Sequence, residues 1–175
     1  MSFRRKNIRL HPTRYQGHCW SFITICCESR HPVFSDSKNA QMLMDHLQVT
    51  AGKYHFAVHA FCVMPDHFHA LVEGIAPDCD LLLFVRIFKQ ATSLKYSGGS
   101  GIRLWQKKFY DHMLRPKDSA EAVSWYIWMN PVRKGLCSLP TQYPYSGSLT
   151  EEWEKKVQPR ELWVPTWKTD TLAHP

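Results

Sequence analysis

The rhythm of apolar positions changes three times in the first seventy-odd residues. Residues 18–27 (HCWSFITICC) are dense in aromatic and β-branched side chains and predict a strand. Between 37 and 54, Ala40, Leu43, Met44, Leu47 and Ala51 recur at intervals of three and four, the period of an amphipathic helix, with residues 35–37 as candidate caps. Residues 56–64 (FAVHAFCVM) return to strand chemistry and stop at Pro65. Residues 67–73 (HFHALVE) resume it, so Pro65-Asp66 reads as a tight hairpin connection.

Asp78 or Asp80 caps a long helix reaching about residue 96, where the run 97–101 (SGGSG) stops it. No Gly-Lys-Ser/Thr follows, so this run is not a phosphate-binding loop. Residues 103–105 and 109–115 are short strand candidates. The sequence Asp118-Ser119-Ala120-Glu121 resembles a capping box and opens a helix to about residue 129, closed by Asn130-Pro131 and Gly135. Beyond Tyr143 periodicity is weak, and the chain reads as a tail packing over the domain. The order strand, helix, strand, strand, helix, strand, helix predicts an α+β fold: a ferredoxin-like antiparallel β-sheet with helices packed on one face. Hairpin-linked strands argue against a doubly wound parallel sheet.

A length of 175 residues supports one full hydrophobic core rather than two. With 44% hydrophobic and 21% charged residues, the chain is of globular rather than disordered type. No run approaches the roughly twenty apolar residues of a membrane span, and no apolar segment follows the basic start Met1-Ser2-Phe3-Arg4-Arg5-Lys6. Membrane and secreted readings are therefore set aside. The six cysteines include no Cys-x-x-Cys pair, which points to a reducing cytoplasm and no cysteine chemistry.

Charge narrows the partner. The net charge of +7 favours a polyanion, nucleic acid above all. The excess lies in two segments: Arg4, Arg5, Lys6, Arg9 and Arg14 near the start, and Arg86, Lys89, Lys95, Arg103, Lys107, Lys108, Arg115 and Lys117 against the single acid Asp111. Among these, Arg4, Arg5, Lys6, Arg14, Lys89, Lys107, Lys108 and Arg115, with Arg133 and Lys134, are candidate phosphate contacts.

Candidate chemistry begins at His67 and His69. Two apart on a strand, their imidazoles leave one face together, which is half of a metal site or an ordinary polar sheet face. Tyr126 and Asn130 stand one helical turn apart. A phenol and an amide would emerge there side by side; equally, Tyr126 is a core residue and Asn130 a helix C-cap.

The run Val63-Met64-Pro65-Asp66-His67-Phe68-His69-Ala70-Leu71-Val72 precedes Tyr126-Ile127-Trp128-Met129-Asn130-Pro131-Val132-Arg133-Lys134-Gly135 by some sixty residues. Together they resemble the single-tyrosine HUH transposases, and more narrowly the REP-associated tyrosine transposases, relatives of the single-strand insertion-sequence transposases. Residues 20–24 leading to Arg30 and Phe34, then Phe88-Lys89-Gln90, Trp105-Gln106 and residues 109–115 extend the similarity over about 15–145.

The resemblance implies a catalytic palm over 1–149 with a basic N-terminal arm, followed by a tail over 150–175. It implies His67, His69 and Asn130 as ligands of Mg²⁺ or Mn²⁺, and Tyr126 as the nucleophile. It further implies a cytoplasmic, nucleoid-associated enzyme that nicks and rejoins single-stranded DNA beside hairpin or palindromic elements through a 5′-phosphotyrosine. Monomer and homodimer both stay open. Rival nucleophiles are Tyr96 and Tyr110, the latter better suited to base stacking or sheet packing. Two other functions compete: a hairpin-binding module of the same ancestry that no longer cuts, and an unrelated metal enzyme in which His59 joins His67 and His69. Glu73, after the histidine strand, reads as a strand end or a site residue.

Overall fold

The structure, a computed structural model, describes residues 10–98 and 101–156. The expected N-terminal arm with Arg4, Arg5 and Lys6, residues 99–100, and the tail from 157 onward lie outside the described residues. Its elements run β1 (Trp20–Cys26), α1 (Ser37–Lys53), β2 (Phe56–Met64), β3 (His67–Gly74), α2 (Leu81–Ser97), β4 (Tyr110–Met113), α3 (Ala120–Trp128), α4 (Asn130–Arg133) and β5 (Ser146–Gly147). All pairings are antiparallel, in the order β4-β1-β3-β2-β5. The first four strands and two helices are the ferredoxin-like arrangement that the alternation predicted.

Local chemistry sets the boundaries. Asp36 accepts from the N–H groups of Lys38 and Asn39 to start α1, and Asp80, rather than Asp78, accepts from Leu83 to start α2. Gly98 ends α2 at φ +54°, a left-handed cap that costs a glycine little. At α3 the cap is Ser119, whose hydroxyl accepts from Ala122. Asp118, expected within a capping box, instead accepts from the Arg115 N–H and the His112 ring.

Alternation along β1 and β3 sends side chains to opposite faces. Ile23, Ile25, Phe68, Ala70 and Val72 meet α1 and α2 in the larger core. Phe22, Leu71, Ala60, Cys62 and Met64 meet Val123, Ile127 and Trp128 of α3 in the smaller one. A register shift in β2 between Val58 and Ala60 changes which alternate residues face each core: Phe56 and Val58 before it, and Phe61 and Val63 after it, face the larger one. The expectation of helices on one face thus holds for α1 and α2 and fails for α3. Element order alone does not fix which face a late helix covers; the second apolar face, once formed, demanded a cover.

Two more expectations are corrected. Asn130-Pro131 does not simply terminate the helix: α3 ends at Trp128, as expected, but Asn130 then opens the short α4, with Pro131 in its first turn where no N–H is needed. The stretch after Tyr143 is not merely a covering tail, since Ser146 and Gly147 pair with Cys62 and Phe61 as the edge strand β5. A two-residue strand has no period to read. A Cβ at Gly147 would sit 2.9 Å from the Phe61 ring, so any larger residue there needs the ring to shift. Of the short strand candidates, 109–115 contains β4, whereas 103–105 contributes only a bridge from Trp105 to Cys27.

Candidate active site

His67 and His69 open β3 directly after the two-residue turn, and both face α3. Their Nε2 atoms stand 3.0 Å apart with the rings nearly perpendicular, at 81°. Each second nitrogen has its own partner. Nδ1 of His67 lies 2.5 Å from a carboxylate oxygen of Asp66, and Nδ1 of His69 lies 2.8 Å from the Thr24 hydroxyl on β1. A carboxylate only accepts, so the His67 proton belongs on Nδ1 and its Nε2 keeps the lone pair. Burial pushes the His67 pKa below its ordinary value while Asp66 pulls it back up, and the net direction favours the neutral ring, the form that ligates.

Asp66 is itself held. Arg30 approaches its other oxygen at 3.3 Å, from a loop in which Ser29 and Arg30 both take left-handed backbone conformations, φ +51° and +58°. Backbone bonds from Cys27 to Asp66 and from Phe34 to Pro65 clamp this loop on the hairpin. Arg30, Asp66 and His67 therefore form one chain of contacts ending at the paired nitrogens.

Tyr126 comes from α3 across the same face. Its ring centroid lies 6.4 Å from that of His69 and 6.0 Å from Phe22. The side chain is half-buried, so the phenol is not sealed inside the core. The Arg133 guanidinium lies over the ring, 4.1 Å from its centroid, and donates to the Tyr126 carbonyl at 2.6 Å. Burial raises the Tyr126 pKa, and Arg133 opposes that rise. The rival Tyr110 is in the same row across the sheet, paired with Thr24, which pairs with His69. Burial also raises its pKa, but its charged neighbour Asp111 adds to the rise. At Tyr126 a cation, Arg133, works to release the proton. Tyr96, at the end of α2, packs against the core on the opposite face.

The two Nε2 atoms, with their outer nitrogens taken by Asp66 and Thr24, are a donor set that fits a divalent cation. Among the described residues, no third His, Cys, Asp or Glu joins them. Asn130 is buried, and its amide donates to the carbonyls of Tyr126 and Ile127, which leaves its oxygen as the only atom it could offer a metal.

His59 is not part of this set. It stacks on Trp20 and bonds Glu73 at 2.8 Å, at the far end of the strands. His59 is thereby corrected as a site candidate and Glu73 takes its strand-end reading: a run of strand residues shows a shared face but not the distance along it.

The basic candidates divide. Arg14, Lys107, Lys108 and Arg115 line one groove of about 940 Å³ along the edge strand β4, beside Tyr110. Lys89 donates to the carbonyls of Gln106 and Lys107 at 2.7 and 3.0 Å, so it anchors the loop that carries Lys107 and Lys108. Arg133 sits at the tyrosine, and Lys134 is exposed at the end of α4. Sequence reading missed Thr24, which no linear signal joins to His69. Asp66, a carboxylate next to a candidate ligand, carries a sign that is legible in the sequence.

A family model described as "Transposase IS200 like" matches residues 15–130. An uncharacterised protein of Haemophilus influenzae is 28% identical over 167 residues, 73% of this chain and 88% of the relative. A REP-associated tyrosine transposase of Escherichia coli is 29% identical over 93 residues, 52% of this chain and 53% of the relative. The solved structure of a REP-associated tyrosine transposase bound to a REP hairpin superposes with a TM-score of 0.68 at 20% identity, covering 95% of each chain. At that identity the likeness speaks for the fold.

Proposed function

The chain belongs to the IS200-like transposase family, and from that premise we infer that it is a metal-dependent single-stranded DNA endonuclease and strand transferase. It acts beside hairpin or palindromic DNA through a 5′-phosphotyrosine. The observation that carries this reading is the meeting of two imidazoles, Nε2 to Nε2 at 3.0 Å, with the Tyr126 ring on the same sheet face. A hairpin partner is supported by the related REP-associated transposase and by the fold neighbour bound to a hairpin.

His67 and His69 would hold Mg²⁺ or Mn²⁺, with the Asn130 oxygen as a third ligand. The bound cation supplies charge neutralisation at the non-bridging phosphate oxygens. Tyr126 Oη attacks phosphorus, its proton leaves, and the 3′ oxygen departs opposite the new bond. The phosphotyrosine ester keeps the bond energy for rejoining, so no nucleotide cofactor is needed. Arg133 favours the charged phenolate as it forms. Asp66 and Thr24 fix the two rings so that their Nε2 atoms stay aimed at one point. The groove along β4 offers Arg14, Lys107, Lys108 and Arg115 to the phosphates of the bound strand, and Tyr110 to a base.

A labelled pool of hairpin oligonucleotides with randomised unpaired flanks, incubated with Mn²⁺, tests this. The native chain forms a covalent adduct that survives denaturation, and Tyr126→Phe forms none while still binding. An adduct kept in Tyr126→Phe but lost in Tyr110→Phe would overturn the nucleophile. Tight hairpin binding with no adduct would identify a binding module that does not cut.

A further inference from the structure

On β1, Phe22 and Thr24 leave the sheet on the face that α3 covers, because alternate residues share a face. Thr24 takes Nδ1 of His69, and Phe22 stands beside it with no exposed surface. Register decides what the phenyl ring meets. Phe22 lies opposite Leu71 of β3 on one side and His112 of β4 on the other. His69 and Tyr110, both opposite Thr24, therefore occupy the diagonal positions that an aromatic ring reaches.

The ring meets side chains of the site on several sides. His69 stacks on it with centroids 5.5 Å apart and planes 24° from parallel. Tyr126, from α3, meets it at 6.0 Å and 75°, and Tyr110 at 6.1 Å and 67°. Edge-to-face pairs of this kind have a preferred direction as well as a preferred distance. The contacts add what the polar partners do not supply. The Thr24 hydroxyl fixes Nδ1 of His69, but one hydrogen bond leaves the imidazole plane free to tilt about it; a stacked phenyl face sets that tilt. The Arg133 guanidinium attracts the face of Tyr126, and a cation on a face leaves the ring free to turn beneath it.

Phe22 is sealed from solvent and touches neither DNA nor metal, so any part it has in the chemistry passes through these neighbours. Resting on the strand-transfer reading above, we propose that Phe22 is a positioning residue, the common support that fixes the Tyr126 phenol relative to the His69 ligand. In-line attack requires the nucleophile and the phosphate held by the histidine pair in one alignment, yet the two groups arrive on separate segments, α3 and β3. A single ring against both sets their separation directly, and their centroids stand 6.4 Å apart. A matched reference lies on the other face of the sheet: Phe84, equally buried, packs on Phe56 and Phe88 in the larger core.

The test compares Phe22→Leu, which keeps apolar bulk and removes the ring, with Phe84→Leu, the same change in the other core. Melting temperature, hairpin affinity without metal, Mn²⁺ affinity without DNA, and the single-turnover rate of adduct formation at saturating hairpin and Mn²⁺ are measured on the full chain. Both variants melt below the native protein. Phe22→Leu lowers the rate roughly 100-fold, the scale of a misplacement of about 1 Å, while both affinities stay within about threefold of native. Phe84→Leu keeps the native rate. Phe22→Met, which also lacks the ring, repeats the loss of rate and carries the prediction if the leucine variant does not fold. A native rate in either folded Phe22 variant overturns the proposal, and so does an equal loss in Phe84→Leu. Rate and affinities falling together would also overturn it, since the ring would then hold the sheet face as a whole. A native chain that forms no adduct overturns the strand-transfer reading and the support with it; a native adduct with unaffected Phe22 variants overturns the support alone.

Discussion

Two histidine–carboxylate couples occupy the two ends of the same sheet face, and they do different work. At one end Asp66 takes Nδ1 of His67, which turns the Nε2 lone pair toward Nε2 of His69, 3.0 Å away. At the other end Glu73 takes Nε2 of His59, the Thr150 hydroxyl stands 3.4 Å from Nδ1, and Trp20 covers the ring. The residue types and the short contacts are alike. What separates a candidate ligand from a structural residue is which nitrogen the carboxylate leaves over and what that nitrogen faces. A third couple, His112 with Asp118 at 3.0 Å, ties β4 to the turn before α3 and serves as a structural reference for both.

The comparison is sharpened most by removing one ring from each end. His67→Ala is expected to reduce the Mn²⁺-dependent adduct to background, whereas His59→Ala keeps the rate of adduct formation at saturating DNA. Single-turnover assays on both variants decide it. Equal losses would mean that the two couples are parts of one site.

Removing the carboxylates is the next largest contrast. Asp66→Asn should lower Mn²⁺ affinity roughly 10- to 100-fold, since partners of this kind orient and polarise a ligating imidazole. Arg30→Ala should act in the same direction and less strongly, through Asp66. Glu73→Gln should leave Mn²⁺ affinity unchanged. Calorimetric titration of the metal without DNA reads all three, and a Glu73 effect as large as that of Asp66 would break the distinction.

Stability should respond in the opposite order. His59→Ala removes a stacked ring and a hydrogen bond, a loss of about 1–2 kcal/mol by denaturant unfolding. A destabilised variant with normal metal binding is the signature of a structural residue.

The smallest effect concerns the reference couple. Burial would push the Asp118 carboxyl up, but the hydrogen bonds from the Arg115 N–H and His112 outweigh it and hold its pKa below the usual carboxylate value. A depressed carboxylate stabilises the fold above its unfolded pKa of about 3.9 and loses that contribution as pH falls through the folded one. Melting temperature should therefore drop on acidification below about pH 4, and Asp118→Asn should flatten that part of the profile. An unchanged acid limb in Asp118→Asn would remove the couple from the account.

Much of this was legible in the chain because the signals are local. The helical period of Leu43 and Leu47, the capping acids Asp36 and Asp80, and Pro65-Asp66 between two apolar runs all act within a few residues, and each element formed where its pattern put it. The shared face of His67 and His69 follows from strand alternation alone. Their convergence with Tyr126 was expected only through resemblance, since some sixty residues separate the two motifs.

Other features depend on partners that no linear pattern names. Thr24 reaches His69 only because β1 and β3 pair in one register, and α3 crosses to the second face only because α1 and α2 have filled the first. Burial decided the rest: it left the Trp125 indole without an acceptor and drew Arg133 onto the ring of Tyr126. Sequence by itself determined which side chains leave an element together, because backbone geometry is periodic and short-ranged. Tertiary structure alone decided which of them meet, because strand register and the competition for two apolar faces are settled between segments far apart in the chain.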